Sequence, residues 1–392
     1  MSPSTLFFLL FMTVALGVFA LMHYYFWRRM VKDPGFNRRD KRIGTTVLIC
    51  LFFFFPTTLF LAKQFSIQRL FPLVWFAYLW LGILMLFFFF FLFMDSLKLF
   101  YHTMRCLLAG RSELPDPGRR RFLARTLASS ASVLVLGVSA FGVKRCLDPP
   151  QVKQLFIKMP GLPPSFKGFS IVQISDIHIG AMSMLSELAD IVAIVNTLKP
   201  DLIAITGDLV DGNTAQLLSE LTPLTELTAP HGVFFVTGNH EYYSGVEQWL
   251  PEIERLNITV LNNRRTEIRR GNDSFILAGV TDHQAGRFGQ EHAPDFNKAL
   301  GKMTTTQKKI LLAHQPRAVE KAAQYGVDLV LSGHMHGGQI WPFRYLTRLQ
   351  QPYLKGLYRH KKTLLYVNQG TGYWGPPMRV GTYKEITRFI LS

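Results

Sequence analysis

Five short stretches of this 392-residue chain carry side chains able to hold a cation: Asp176-Ile177-His178, Gly207-Asp208, Gly238-Asn239-His240-Glu241, His314, and Gly333-His334-Met335-His336. Each follows a short apolar run, at 170–175, 202–206, 233–237, 310–313 and 329–332. In α/β sheets, ligand sites collect at the carboxyl ends of strands. Mixed imidazole and carboxylate donors suit Mn, Fe, Zn or Co, whereas Mg or Ca prefers oxygen alone. Two such ions about 3.5–4 Å apart place an oxygen nucleophile in line with a phosphoester's leaving oxygen and neutralise the phosphoryl charge. That chemistry needs a carboxylate shared by both ions, and Asp208 is the natural choice. Gly207, Gly238 and Gly333 let the backbone turn sharply beside it.

The elements that must position these groups are short strands alternating with longer mixed segments from residue 167 onward. Residues 185–198 and 316–325 read as helices, which makes this part an α/β domain with a largely buried sheet. Pro149-Pro150 and the proline-rich stretch 160–164 mark the change into it. The expected organisation is a membrane region over 1–143, a linker over 144–164 and a catalytic domain over 165–392.

The front part has different physics. Residues 5–27, 45–62 and 71–94 are apolar runs without a polar face, and a bilayer span needs roughly 20 apolar residues. A fourth, milder run covers 126–143. The stretch Gly118-Arg119-Arg120-Arg121-Phe122-Leu123-Ala124 precedes it. It fits either a twin-arginine export signal, with the export machinery then a partner, or a basic anchor before a membrane helix. The sequence also leaves open whether run four is cleaved. Loops 28–44 and 95–125 each hold seven Lys/Arg and loop 63–70 holds two, so the first two should face the cytoplasm. The expectation is a multi-pass protein of a bacterial cell membrane with the C-terminal domain outside the cytoplasm.

The net charge of +17 divides into +11 before residue 144 and +6 after it. Much of it therefore reports topology. No basic stripe interleaved with aromatics appears in the back part, so nucleic acid is not an expected partner. Cys50, Cys106 and Cys146 give neither a disulfide framework nor a CxxC site. His231, His283, His292 and His360 match no ligand position. Arg264, Arg265, Arg269 and Arg270 read as a solvated face, and His23 and His102 as interfacial residues.

At the five stretches the chain resembles the calcineurin-like metallophosphoesterase superfamily. The resemblance spans about 165–392 and implies a four-layer α-β-β-α sandwich. It implies one metal on Asp176, His178 and His336, another on Asn239, His314 and His334, and Asp208 bridging them. It places His240 at the scissile bond as stabiliser or acid, with Asp211 orienting it. The tail, Gly337-Gly338-Gln339, Tyr366 to Gly372 and Pro376-Pro377-Met378-Arg379, is similar to a group of bacterial membrane-associated phosphoesterases. That group includes twin-arginine-exported members and enzymes that cleave UDP-2,3-diacylglucosamine. Its usual Ser-Arg is Asn368-Gln369 here. Arg379 is a candidate for a substrate phosphate. The implied activity is hydrolysis of a phosphoester or pyrophosphate by in-line attack of a hydroxide shared by two divalent metals, on a phosphorylated small molecule or a lipid- or envelope-linked substrate. The alternatives are a non-catalytic metal-binding scaffold and a membrane sensor with a phosphoesterase-like output domain.

Overall fold

The computed structural model describes residues 3–65, 67–109, 116–180, 185–301 and 307–392; Arg111 of the basic loop lies outside them. The chain divides into two compact units, one within residues 1–142 and the other dominated by residues 143–392.

The first unit is helical: α1 (Pro3–Trp27), α2 (Arg38–Gln64), α3 (Ile67–Ala109) and the start of α4 (Pro117–Leu147). Among the described residues three segments are long and apolar enough to cross a membrane, Arg38–Ala62, Leu70–Leu108 and Pro117–Leu147. The helices outrun their apolar stretches. α3 has 43 residues, about 65 Å at 1.5 Å per residue, against a hydrocarbon core of about 30 Å. Nothing in the sequence stops it at residue 94; the first glycine beyond is Gly110. The polar extension carries Asp95, which pairs with Arg29 and accepts from Tyr25 Oη at 2.5 Å. α2 continues through Pro56. His23 packs inside this unit. It is buried, its Nε2 accepts from Trp80 Nε1 at 3.1 Å, and its ring packs on Phe19 and Phe52. Aromatic neighbours on three helices enclose it, which a linear charge pattern cannot show.

The second unit holds two six-stranded sheets. The first has the order β1 (Gln151–Ile157), β14 (Glu385–Leu391), β2 (Ser170–Ile174), β4 (Leu202–Ile205), β6 (Val233–Phe235), β7 (Ile258–Val260). The second runs β12 (Gly356–His360), β13 (Thr363–Val367), β11 (Leu329–Ser332), β10 (Lys309–Leu312), β9 (Asp273–Gly279), β8 (Arg264–Arg270). A two-stranded ladder joins β3 (Ile179–Gly180) to β5 (Val210–Asp211). β1 lies within the stretch expected to be linker and pairs in parallel with β14, so both edges of the domain sequence meet in one sheet.

Alternation along the strands divides the cores. Ile171, Leu202, Phe234, Leu277, Leu312 and Leu331 belong to one buried cluster that draws on both sheets. Their strand neighbours Val172, Ile203 and Phe235 pack instead with Leu188, Ile191 and Val195 of helix α5 (Leu185–Thr197). Both faces of the central strands are buried, so these read as continuous apolar runs. Truncating a core leucine such as Leu331 to alanine costs about 2–5 kcal/mol by lost transfer energy and the cavity left behind. This rigidity lets the segments after β2, β4, β6, β10 and β11 hold side chains in fixed places.

Candidate metal centre

The loops after these strands adopt unusual backbone geometry. Asp176 (φ 53°), His178 (55°), Asp208 (52°), His334 (73°) and His336 (46°) are all left-handed. Each such residue costs on the order of 1–3 kcal/mol and persists only where its surroundings enforce it. Here the enforcement is cross-loop hydrogen bonding. Asp176 N donates to Gly207 O (3.0 Å), His178 N to Asp208 O (3.1 Å), Gly372 N to Asp176 O (3.0 Å), and His334 N to Asp176 Oδ1 (2.8 Å). Gly207, at φ +87°, sits where a Cβ would lie 2.6 Å from Gly238 N and 2.7 Å from His314 Nδ1.

The result is a tight meeting of buried and half-buried donors. Among the described residues three groups have ligand atoms within 4.8 Å of one another: Asp176, His178 and His336; His178, Asp208 and His240; Asp208, His314 and His334. Asp208 belongs to two of them. Its Oδ2 lies 3.0 Å from His314 Nε2, 3.8 Å from His178 Nε2 and 4.0 Å from His240 Nε2. His336 Nε2 is 3.5 Å from Asp176 Oδ1 and 3.1 Å from His178 Nε2. His334 Nδ1 is 3.2 Å from His314 Nε2. Asn239 is buried, and its Oδ1 has no hydrogen-bond partner. An orphaned buried carbonyl oxygen costs about 1–3 kcal/mol, so it fits a cation's donor set better than an apolar core.

Other groups aim these donors. Asp211 accepts from Nδ1 of His178 at 3.0 Å and from Nδ1 of His240. Both rings therefore turn Nε2 toward Asp208, so Asp211 orients His178 as well as His240. Thr206 O does the same for His314, accepting from its Nδ1 at 2.7 Å. Glu241 is a clamp. Its carboxylate accepts the backbone N–H of Asp208 (3.1 Å), Leu209 (2.6 Å), Val210 (3.3 Å) and Gly238 (2.6 Å), tying two ligand loops together. Its place in a Gly-Asn-His-Glu run was the only signal the sequence offered.

Arg379 stands apart from the donors. It is fully buried, and its guanidinium donates to the carbonyls of Gln369 (3.0 Å), Gly370 (3.2 Å), Gly372 (2.5 Å) and Tyr383 (3.0 Å). Its terminal nitrogens are occupied with backbone, so the geometry gives it the work of fixing the loop beside Asp176 and His336.

The electrostatics suit cation capture. Burial pushes the Asp208 carboxyl up, but the imidazoles of His314 and His240 outweigh it and hold it well below the usual range. Burial likewise opposes protonation of His314, and Asp208 reverses this, raising it well above 6.5. Nδ1 of His314 faces Thr206 O, so that proton sits on Nε2, where a cation would displace it. Burial and the neighbouring His314 hold His334 neutral, at about 3, as a ligand must be. For His240 burial lowers the pKa, yet Asp208 and Asp211 raise it to about 9. The rings of Tyr243 and Trp374 flank His240 at 5.3 and 5.4 Å.

The calcineurin-like phosphoesterase pattern matches residues 169–338. The chain is 31% identical over 386 residues to an uncharacterized metallophosphoesterase of Campylobacter jejuni, covering 97% of each protein. It is 40% identical over 272 residues to an uncharacterized metallophosphoesterase of Helicobacter pylori, covering 69% of this chain and 71% of that one. It is 39% identical over 270 residues to a transmembrane protein with metallophosphoesterase domain from Danio rerio. That match covers 67% of this chain and 62%, just under two thirds, of the Danio rerio protein.

Proposed function

The chain belongs to the calcineurin-like phosphoesterases, and from that premise we propose that it is a membrane-anchored phosphohydrolase working with two divalent transition-metal ions. The observation that carries this reading is Asp208, one buried carboxylate that groups with His314 and His334 and also with His178 of the neighbouring Asp176, His178 and His336 set. Asp176, His178 and His336 would hold one ion, Asn239, His314 and His334 the other, with Asp208 common to both. When bound, the pair supplies an acidified water as nucleophile and neutralises phosphoryl charge.

The chain's own residues supply the rest. Asp211 fixes the ring of His240 through Nδ1, which leaves Nε2 to carry the proton. The two carboxylates beside it keep that proton in place at neutral pH. His240 Nε2 then donates it to the leaving oxygen, general-acid work worth about 10²–10⁴ in rate. Tyr243 and Trp374, beside that ring and more than half exposed, border the leaving group. The spanning helices support a phosphoester or pyrophosphate on a lipid- or envelope-linked molecule, with small phosphorylated molecules as the other class.

The test uses the full chain in detergent, stripped with a chelator and reloaded with Mn²⁺. Substrates are bis-p-nitrophenyl phosphate, a phosphomonoester and a lipid diphosphate. Hydrolysis of at least one is expected, with Asp208→Ala reducing kcat/KM about a thousandfold or more, since several kcal/mol of charge stabilisation go with the shared ligand. Metal binding without turnover of any of the three would favour the scaffold reading instead.

A further inference from the structure

Directly after His336 the chain turns through Gly337 and Gly338 and presents Trp341, Phe343, Tyr345, Leu346 and Leu349 to solvent, the last four on or beside the helix Arg344–Gln350. Leu349 is 86% exposed and Trp341 48%. Five large apolar side chains within nine residues are more than the scattered exposure normal on a soluble surface.

The charge around them is one-sided. From residue 329 to 384 the sequence contains no Asp or Glu. Within 341–362 it carries Arg344, Arg348, Lys355, Arg359, Lys361 and Lys362. Arg348, Arg359, Lys361 and Lys362 are exposed. Trp341, Tyr345 and the basic residues among them form an aromatic and basic stretch that the charge reading of the back part did not expect, and it suits the headgroup level of a bilayer, where aromatic rings settle and Lys or Arg meets anionic lipid.

The segment is coupled to the metal centre. Gln339 Nε2 donates to Trp374 O at 2.8 Å and to Pro376 O at 3.1 Å, and Trp341 N donates to Val380 O at 2.9 Å. Trp374 in turn lies against His240. The exposed apolar segment and the rim of the donor cluster are therefore one continuous piece of structure.

We propose that residues 341–350 are an interfacial docking element that settles into the headgroup layer of an anionic phospholipid bilayer and holds the mouth of the metal centre against it. This goes beyond the hydrolase reading and does not depend on it, because lipid contact is measured without turnover.

The experiment is spin-label accessibility on the full chain in nanodiscs. Cys50→Ser and Cys106→Ser remove the exposed thiols, Cys146 is buried, and Leu349→Cys carries the nitroxide. In discs of phosphatidylcholine with phosphatidylglycerol, the label should be relaxed by lipid-soluble oxygen and protected from an aqueous nickel chelate. In phosphatidylcholine alone, or with Arg348→Glu or Arg359→Glu, aqueous access should return. Each lost basic residue should lower the docked fraction's ratio about fivefold. Equal nickel access in both lipids would overturn the proposal. So would protection from both reagents, which would mean that a second copy or another protein covers this face.

Discussion

Asp211→Asn is the perturbation whose consequence the geometry fixes most closely. The carboxylate accepts from two imidazoles, His178 Nδ1 at 3.0 Å and His240 Nδ1. Asparagine has one oxygen and one amide NH₂. Whichever way it turns, one imidazole keeps an acceptor and the other meets a donor. That second ring must then carry its proton on Nε2 and leave Nδ1 bare. For His178 the result is an Nε2 that no longer binds a cation; for His240 it is a ring that no longer holds protons on both nitrogens. A hydrogen bond to a charged group contributes about 1.5–3 kcal/mol, and one of two is lost. At 1.4 kcal/mol per decade this is about 10–200-fold. The assay is kcat/KM on bis-p-nitrophenyl phosphate across a Mn²⁺ titration. A fall in kcat at saturating metal assigns the loss to His240, and a weakened Mn²⁺ affinity assigns it to His178. If the variant keeps both its metal affinity and kcat/KM within about threefold of the wild type, a range well under the effect of one such bond, Asp211 does not orient these rings.

Two more outcomes follow from the same centre. Glu241→Gln leaves two of four backbone N–H donors facing an amide, at about 2–4 kcal/mol, so the apparent Tm of the C-terminal unit should fall about 5–10 °C; a shift below about 2 °C, less than 1 kcal/mol would give, would show that this clamp is dispensable. His240, raised from 6.5 to about 9, binds its proton more tightly in the folded chain than in the unfolded one. Its contribution, on the order of 3 kcal/mol, is complete below pH 6.5 and disappears as pH rises through about 9. Denaturant melts of the chelated protein from pH 6 to 10 should therefore lose stability faster than those of His240→Gln; parallel curves for the two would contradict the assignment.

The donor types were legible because strand-ending motifs put Asp, Asn and His at the mouths of five apolar runs, and that pattern is local. The apolar segments within 38–62, 70–108 and 117–147 were legible for the same reason, since hydropathy is a property of consecutive residues. Helix ends were not. α3 runs on past its apolar stretch to Ala109 because polar residues continue a helix as readily as apolar ones. The strand at 151–157 was hidden for a different reason: its partner lies at the far end of the chain.

By itself, then, the sequence determined which atoms are available for cation binding and which segments are apolar enough to cross a bilayer. Only the tertiary structure decided how those atoms are aimed. Left-handed backbone at five donors, Asp211 shared by two rings, Glu241 across two loops and Arg379 buried in carbonyls all depend on contacts between residues far apart in sequence. Side-chain type sets what a group can bind, whereas its partner is set by which distant backbone the packed core holds a few ångströms away.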